Sequence, residues 1–335
     1  MGSKSPPKPF DSQGDSTTQS SDFRHQPVLL QAVLEHAPSN PKNLVDATLG
    51  GAGHALALLE QFPQAHLFGC DRDPEALVAA KERLSAHSAR VSFSHLPFSQ
   101  LAMWLEGGVE AQPLEPVAGQ VDYLLADLGV SSPQLDVGER GFSFTRDGPL
   151  DMRMDPSSPT ITAETLVNTG SREKLLDILR RFGEERFATR IVYAIEAARP
   201  IATTGELARV VSGAVPARHH RRGHHPATRT FQALRMEVND ELGELQNLLD
   251  TALPLLAPGG RLAIISFHSL EDRMVKTQFQ SWEKPCTCAP SMPRCICGLE
   301  PLGHRVTRKP AIADSTEQAQ NPRSRSAKLR VFEKL

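Results

Sequence analysis

Apolar positions along this chain follow two spacings in turn. Short apolar runs suit strands, and longer stretches with an apolar residue every third or fourth position suit helices. Residues 28–36 predict a short amphipathic helix closed by Pro38. The run Leu44-Val45-Asp46-Ala47-Thr48 predicts a strand that enters a glycine-rich turn. A helix follows over 54–62 and stops at Pro63, and 65–70 predicts the second strand. Asp73 is a natural N-cap with Pro74 at the first helical position, opening a helix to about residue 87. Residues 91–94 predict a third strand, 99–105 a helix and 121–126 a fourth strand that ends at Asp127.

Strands that alternate with helices predict a parallel sheet covered on both faces. The fold class is therefore α/β, a doubly wound Rossmann-like sheet, whose ligand sits beyond the carboxyl ends of the strands. From residue 138 to 216 the strand pattern stops. Helices are predicted over 171–181, 184–198 and 205–215. The α/β pattern then resumes, with one long helix over 228–256, a turn at Pro258-Gly259-Gly260 and a strand over 261–267. The organisation predicted is a disordered tail over 1–22, a discontinuous α/β domain over 23–137 and 217–335, and a helical insertion over 138–216.

Composition changes this picture little. The chain has 335 residues, 39% apolar and 23% charged, with a formal net charge of −2. Such a length suggests about two cores. The charge makes any affinity for nucleic acid a matter of local patches. No apolar run approaches the roughly 18 residues that cross a bilayer. The tail lacks the apolar segment of a secretory signal, so a cytoplasmic protein is expected, with no membrane partner.

The first candidate chemistry is the turn Gly50-Gly51-Ala52-Gly53-His54. Glycines let a backbone approach a ligand closely, and the following helix offers unpaired N–H groups. Taken alone, the turn suits any α/β domain. Asp71 ends the second strand, 18 residues after Gly53. An acid at about that offset accepts hydrogen bonds from ribose hydroxyls. The glycines do not follow the dinucleotide spacing G-x-G-x-x-G. Asp46, Asp71 and Asp127 all end strands at one edge, which suits a sulfonium and an ammonium better than a pyrophosphate. S-adenosylmethionine is thus the expected cofactor, with a nicotinamide cofactor as the competing reading. Phe98 follows the third strand, placed either against an adenine or in the core.

Asp127 opens the turn Asp127-Leu128-Gly129-Val130-Ser131-Ser132 after the fourth strand. An amine conjugated with an aromatic ring is a poor nucleophile. A carboxylate that accepts its N–H favours a more tetrahedral nitrogen and aims the lone pair at an electrophilic methyl. Asp127 fits that catalytic role. It fits equally as the acceptor for the cofactor's own amino group, and the sequence leaves both open.

These segments and others resemble the 16S ribosomal RNA (cytosine-N4)-methyltransferase family. The shared motifs are His25-x-Pro27-Val28-Leu29, Asp46-x-Thr48-x-Gly50-x-Ala52-Gly53-His54, Asp127 to Ser132, Arg140-Gly141-Phe142-Ser143-Phe144 and Gly148-Pro149-Leu150-Asp151-Met152-Arg153. Farther on come His225-Pro226-Ala227-Thr228-Arg229-Thr230-Phe231-Gln232, Ser266-Phe267-His268-Ser269-Leu270-Glu271-Asp272 and Asn321-Pro322-Arg323-Ser324-Arg325-Ser326-Ala327. The resemblance implies methylation of a cytidine in the P-site region of the small ribosomal subunit, with the helical insertion used for substrate recognition. It implies cofactor contacts at Ala52, Gly53, His54, Asp71, Phe98, Asp127 and Gln134. The family usually has glycine where this chain has Ala52, so a positive φ there would be strained.

The expected partner is 16S rRNA or the small subunit, and a homodimer is left open. No acid occurs between Arg218 and Met236. Arg218, Arg221, Arg222 and Arg229 are candidate phosphate contacts there, with Arg235 nearby. Arg323 and Arg325, with Lys328 and Arg330, form a second basic stretch. Either stretch also reads as a solvated basic loop. Aromatic residues are 5% of the chain, so extensive base stacking is not expected. Cys286, Cys288, Cys295 and Cys297 lie within 12 residues, as candidate ligands of one structural zinc or as a reduced loop.

Overall fold

A computed structural model describes residues 27–108, 117–220, 225–289 and 296–335. Seven strands form one sheet: β1 (Asn43–Asp46), β2 (His66–Asp71), β3 (Val91–His95), β4 (Val121–Asp127), β5 (Leu256–Ser266), β6 (Gly303–Arg305) and β7 (Lys328–Lys334). Their order is β3-β2-β1-β4-β5-β7-β6. β1 to β5 run parallel, and β7 pairs antiparallel with both β5 and β6. The chain winds outward one way from β1 and the other way from β4. The crevice between those two strands is therefore where a doubly wound sheet opens to a ligand.

The strands are apolar on both faces, as a sheet covered twice requires. Leu124 and Ala126 of β4 join Leu262 and Ile264 of β5 in one core with Leu101, Trp104, Leu248 and Phe279. Tyr123, Leu125, Ala263 and Ile265 point the other way, against Val33, Leu58, Leu77 and Leu329. Among the described residues no helix is long and apolar enough to cross a membrane.

The expected helices in the first half are present with small shifts. Asp73 caps Pro74–Arg83 by accepting from the Glu75 N–H. That helix gives way to a 3-10 turn over Ser85–Arg90. The central helices are Ala163–Thr169, Arg172–Arg181, Ala188–Ala198 and Thr204–Ala214. They enclose a third core built on Leu166, Ile178, Ile191 and Val211.

Two expectations change. The single helix over 228–256 is in fact two, Thr228–Val238 and Glu241–Leu255. Asp240 between them has φ 47°, which ends the first helix. Asn239 then bonds across the break. Its side chain accepts the Met154 N–H at 2.8 Å and donates to the Met152 carbonyl at 2.7 Å. The first of the two helices buries Phe231, Leu234 and Met236 in the helical core, although on the sequence it follows the insertion. Second, Pro258-Gly259-Gly260 lies inside β5, as an irregularity where the register to β4 jumps from Val121↔Leu256 to Tyr123↔Arg261. A Cβ on Gly260 would sit 2.5 Å from the Val121 carbonyl oxygen, so a side chain there has no room.

Candidate active site

The β1–β4 crevice opens into a cavity of about 440 Å³. Its floor is assembled by bonds from backbone N–H groups to side-chain oxygens at and just beyond the strand ends. The Asp127 N–H donates to Thr48 Oγ1 at 2.6 Å, tying the end of β4 to the turn after β1. The Thr48 N–H donates to the Asp46 carboxylate at 3.1 Å. The Gly50 N–H donates to Asp71 Oδ2 at 2.7 Å, and the Asp73 N–H donates to Asp71 Oδ1 at 2.8 Å. Asp71 therefore fixes the glycine turn and the start of the next helix at once.

The turn bends at Gly50 (φ 49°) and Ala52 (φ 56°) before the helix Gly53–Gln61. Ala52 adopts the left-handed conformation that its Cβ disfavours, so the strain a positive φ would carry at this position is present. Its side chain is fully buried and does not line the cavity. Gly53 stands at the wall, and its missing Cβ makes room for the Pro27 ring, which an added Cβ would meet at 2.5 Å.

His54 is buried, and its Nε2 donates to the Val28 carbonyl at 2.9 Å. That bond leaves Nδ1 as the side facing Asp127, with Nδ1 and Oδ2 3.7 Å apart. Burial lowers the imidazole pKa to about 4, partly opposed by the bond to Val28. His54 is thus a neutral neighbour at pH 7, too distant for a hydrogen bond.

Burial pushes Asp46 up to about 7 and Asp71 up to about 6, against the backbone N–H bonds each accepts. Asp127 is held well above the usual carboxylate range, first by burial and then by the charges of Asp46 and Glu271. Its Oδ1 is buried and has no hydrogen-bond partner among the described residues. An orphaned carboxylate oxygen in a cavity wall is a place for a ligand donor.

Phe98 and Gln134 also reach the wall. Gln134 is already engaged at both ends of its amide. Oε1 accepts the Ser131 N–H at 2.9 Å, and Nε2 donates to Asp73 at 2.7 Å. Arg140 donates to the same Asp73 oxygen at 2.9 Å, so this buried cluster holds the helix Ser132–Asp136 against Pro74–Arg83.

The far wall holds residues that were not among the expected site residues. Glu241, Glu244 and Glu271 line the cavity. Glu271 accepts the N–H groups of Phe267 and His268, capping the helix Ser269–Glu283. Burial and the charge of Glu241 raise it to about 7. Arg235 donates to both oxygens of Glu241, at 2.6 and 2.7 Å. Glu244 accepts from the Ser99 N–H and hydroxyl and so steadies the turn that carries Phe98. The motif around Glu271 was a signal on the sequence. Glu241 and Glu244 had none, because only the break at Asp240 turns them inward.

The basic residues do not gather as their spacing suggests. Arg218, Arg229 and Arg325 are exposed. Arg221 and Arg222 lie outside the described residues. Arg323 lines the cavity, where it bonds the Ser132 hydroxyl and lies 3.6 Å from Asp136. Arg235, Lys328 and Arg330 are corrections to the predicted patches. Arg235 turns inward to Glu241, while Lys328 and Arg330 both bond Asp272, at 3.0 and 2.7 Å. Of the clustered cysteines, Cys286, Cys288 and Cys297 converge, and Cys295 lies outside the described residues.

Residues 22–335 match the model of the MraW methylase family. The chain belongs to the MraW methylase family. Two relatives illustrate how far the similarity extends. Ribosomal RNA small subunit methyltransferase H of Symbiobacterium thermophilum is 48% identical over 318 residues, covering 93% of this chain and 97% of that protein. The protein of the same name from Geobacter sulfurreducens is 49% identical over 321 residues, covering 93% and 99%. In this MraW-family chain the glycine turn, Asp71, Phe98, Gln134 and Asp127 surround one cavity. Asp46 lies beneath it, bonded to Thr48 of the cavity wall.

Proposed function

We propose that this protein transfers the methyl group of S-adenosylmethionine to the exocyclic N4 amine of a cytidine in the P-site region of 16S rRNA, in the small ribosomal subunit. Family membership and relatives named as small-subunit rRNA methyltransferases support the reaction class and the substrate. The resemblance of the motifs supports the nucleotide and the atom. The observation that carries the reading is Asp127, at the end of β4 in the cavity wall, with a buried Oδ1 that has no hydrogen-bond partner among the described residues.

The residues present fit the cofactor. Asp71, Asp127, Glu241, Glu244 and Glu271 line the cavity, against Arg72, Arg83 and Arg323. Arg72 and Arg83 each donate to a backbone carbonyl, of Asn239 and Gly51 respectively. That balance favours a ligand with positive groups over one with a pyrophosphate. When bound, the cofactor supplies an electrophilic methyl on a sulfonium centre. Asp71 would accept from ribose hydroxyls, and Phe98 would lie against the adenine. The backbone of Ala52, Gly53 and His54 would meet the methionine end, with Gln134 beside it.

Asp127 then accepts an N–H of the cytosine amine. This localises the nitrogen lone pair and aims it at the methyl. A carboxylate with a raised pKa also takes up the proton that nitrogen loses. The helical unit from 138 onward, with its shared core extending to Val238, presents the RNA. Arg218, Arg221, Arg222, Arg229, Arg323 and Arg325 contact its phosphates.

The test is incubation of labelled S-adenosylmethionine with undermethylated 16S RNA or small-subunit particles, followed by nucleoside analysis. Label in N4-methylcytidine is expected. Cofactor binding without transfer, or label in another nucleoside, overturns the reading.

A further inference from the structure

We infer that Cys286, Cys288 and Cys297 are thiolate ligands of one structural zinc ion, at the edge of the sheet beyond the helix Ser269–Glu283. Their three sulfurs lie within 4.8 Å of one another. A tetrahedral zinc with Zn–S bonds of about 2.3 Å holds its sulfurs about 3.8 Å apart, so a small contraction seats the ion. Cys295 lies outside the described residues.

Two further observations point to a ligand there. The Ile296 N–H donates to Cys288 Sγ at 3.4 Å. Backbone N–H groups aimed at sulfur stabilise a thiolate and orient it toward a metal. Gly298, directly after Cys297, has φ 65°, and a Cβ added there would meet nothing within 4 Å. Its glycine is therefore needed for the conformation and not for space, as where a chain doubles back around an ion.

The surroundings explain why an ion is useful. The segment is tied to the fold at both ends. The Leu302 N–H donates to the Trp282 carbonyl at 2.9 Å, and Arg305 bonds Glu283. Between these points, among the described residues, the apolar side chains of Ile296 and Leu299 are exposed and do not enter a core. A four-coordinate ion substitutes for a core in a segment of this kind. No group on the cavity wall belongs to the site, so its role is to order the strand edge at β6 and not to take part in methyl transfer.

The test uses the full chain, produced with zinc in the medium and purified under reducing conditions without chelator. Elemental analysis is expected to find about one zinc per chain. Replacement by cobalt is expected to give the visible bands of a tetrahedral ion and a sulfur-to-cobalt charge-transfer band. Cys286→Ser and Cys297→Ser are each expected to lose most of the metal and weaken the charge-transfer band. Cys70→Ala, in the buried sheet, is expected to keep both. Folding of each variant is checked by circular dichroism and by cofactor binding, which does not depend on this site. Wild-type protein with almost no zinc and no cobalt spectrum overturns the inference. So do serine variants that keep the full metal load, and so does a thiol count showing the cysteines joined as disulfides. Metal content is read apart from methylation, so failure here leaves the proposed activity standing.

Discussion

Two regions of this sheet, the β5–β7 ladder and the central β1–β4 crevice, handle buried charge in opposite ways. On the β5–β7 ladder, Arg330 is buried beside Asp272, and Lys328 shares the same carboxylate. Arg261 and Glu333 pair across the same two strands at 2.8 Å. At the crevice, Asp46, Asp71 and Asp127 are held by backbone N–H groups or left partly unbonded. Among the described residues, none of the three has a lysine or arginine salt-bridge partner. Paired charges hold a fold in register and offer nothing to a ligand. Unpaired ones oppose folding when ionised, and a cation that enters relieves them. The comparison separates the part of the sheet that keeps the shape from the part that binds.

Substitutions should divide along the same line. The largest effect expected is from Asp127→Asn, which should lower the methyl-transfer rate by about a hundredfold or more while cofactor binding survives. Single-turnover kinetics checks this, and full activity would remove Asp127 from the chemistry. Arg330→Ala should cost about 2–3 kcal/mol of stability, because Asp272 loses its most buried partner. Denaturant unfolding reads that loss, and cofactor affinity measured on the folded variant should stay unchanged. Asp71→Ala should do the reverse, weakening cofactor binding about 10- to 100-fold by calorimetry, since charged hydrogen bonds contribute about 1.5–3 kcal/mol. If Arg330→Ala weakened binding and Asp71→Ala did not, the division would be wrong.

A pH series sharpens the same contrast. In the free protein Asp71 titrates at about 6 and Asp46 at about 7, both raised chiefly by burial. A cationic ligand favours the ionised forms. Affinity for S-adenosylmethionine should therefore hold above pH 7 and fall as pH drops through 7 and 6, by at most about one decade per pH unit for each proton taken up. The demethylated product lacks the sulfonium and should lose less. A flat profile between pH 5.5 and 8, on the order of these pKa values, would sink the electrostatic account. The smallest effect is expected at Ala52. Glycine there relieves a left-handed alanine by about 1 kcal/mol, but loses a buried methyl worth about 0.8 kcal/mol. Ala52→Gly should thus shift stability by less than about 1 kcal/mol, as read by thermal unfolding.

Much of the crevice was legible before the fold was seen. The strand ends at Asp46, Asp71 and Asp127, the turn from Gly50 to His54 and the cap at Asp73 follow from apolar periodicity and local backbone chemistry. At Ala52 the residue type established only that a positive φ would be strained, and the φ itself is set by the fold. The basic stretches misled where residues close in sequence diverge in space. Arg235 and Arg330 each found a carboxylate that no local pattern announces, Glu241 in one case and Asp272 in the other. The long helix over 228–256 read as continuous because Asn239 and Asp240 are tolerable in a helix. The break depends on Asn239 bonding Met152 and Met154, more than 80 residues away. β6 and β7 were not foreseen, since each is fixed by pairing along the sheet edge.

The sequence by itself determined the alternating elements, the parallel sheet and the acid at the end of each of three strands. Those depend on side-chain periodicity and on turns a few residues long. Only the tertiary structure decided that the three acids share one crevice without arginine or lysine partners, that Glu271 and Glu241 complete its far wall, and that three cysteines meet at the sheet edge. Which charges become neighbours depends on strand order and on where each helix is interrupted. Contacts between residues far apart in the chain set both.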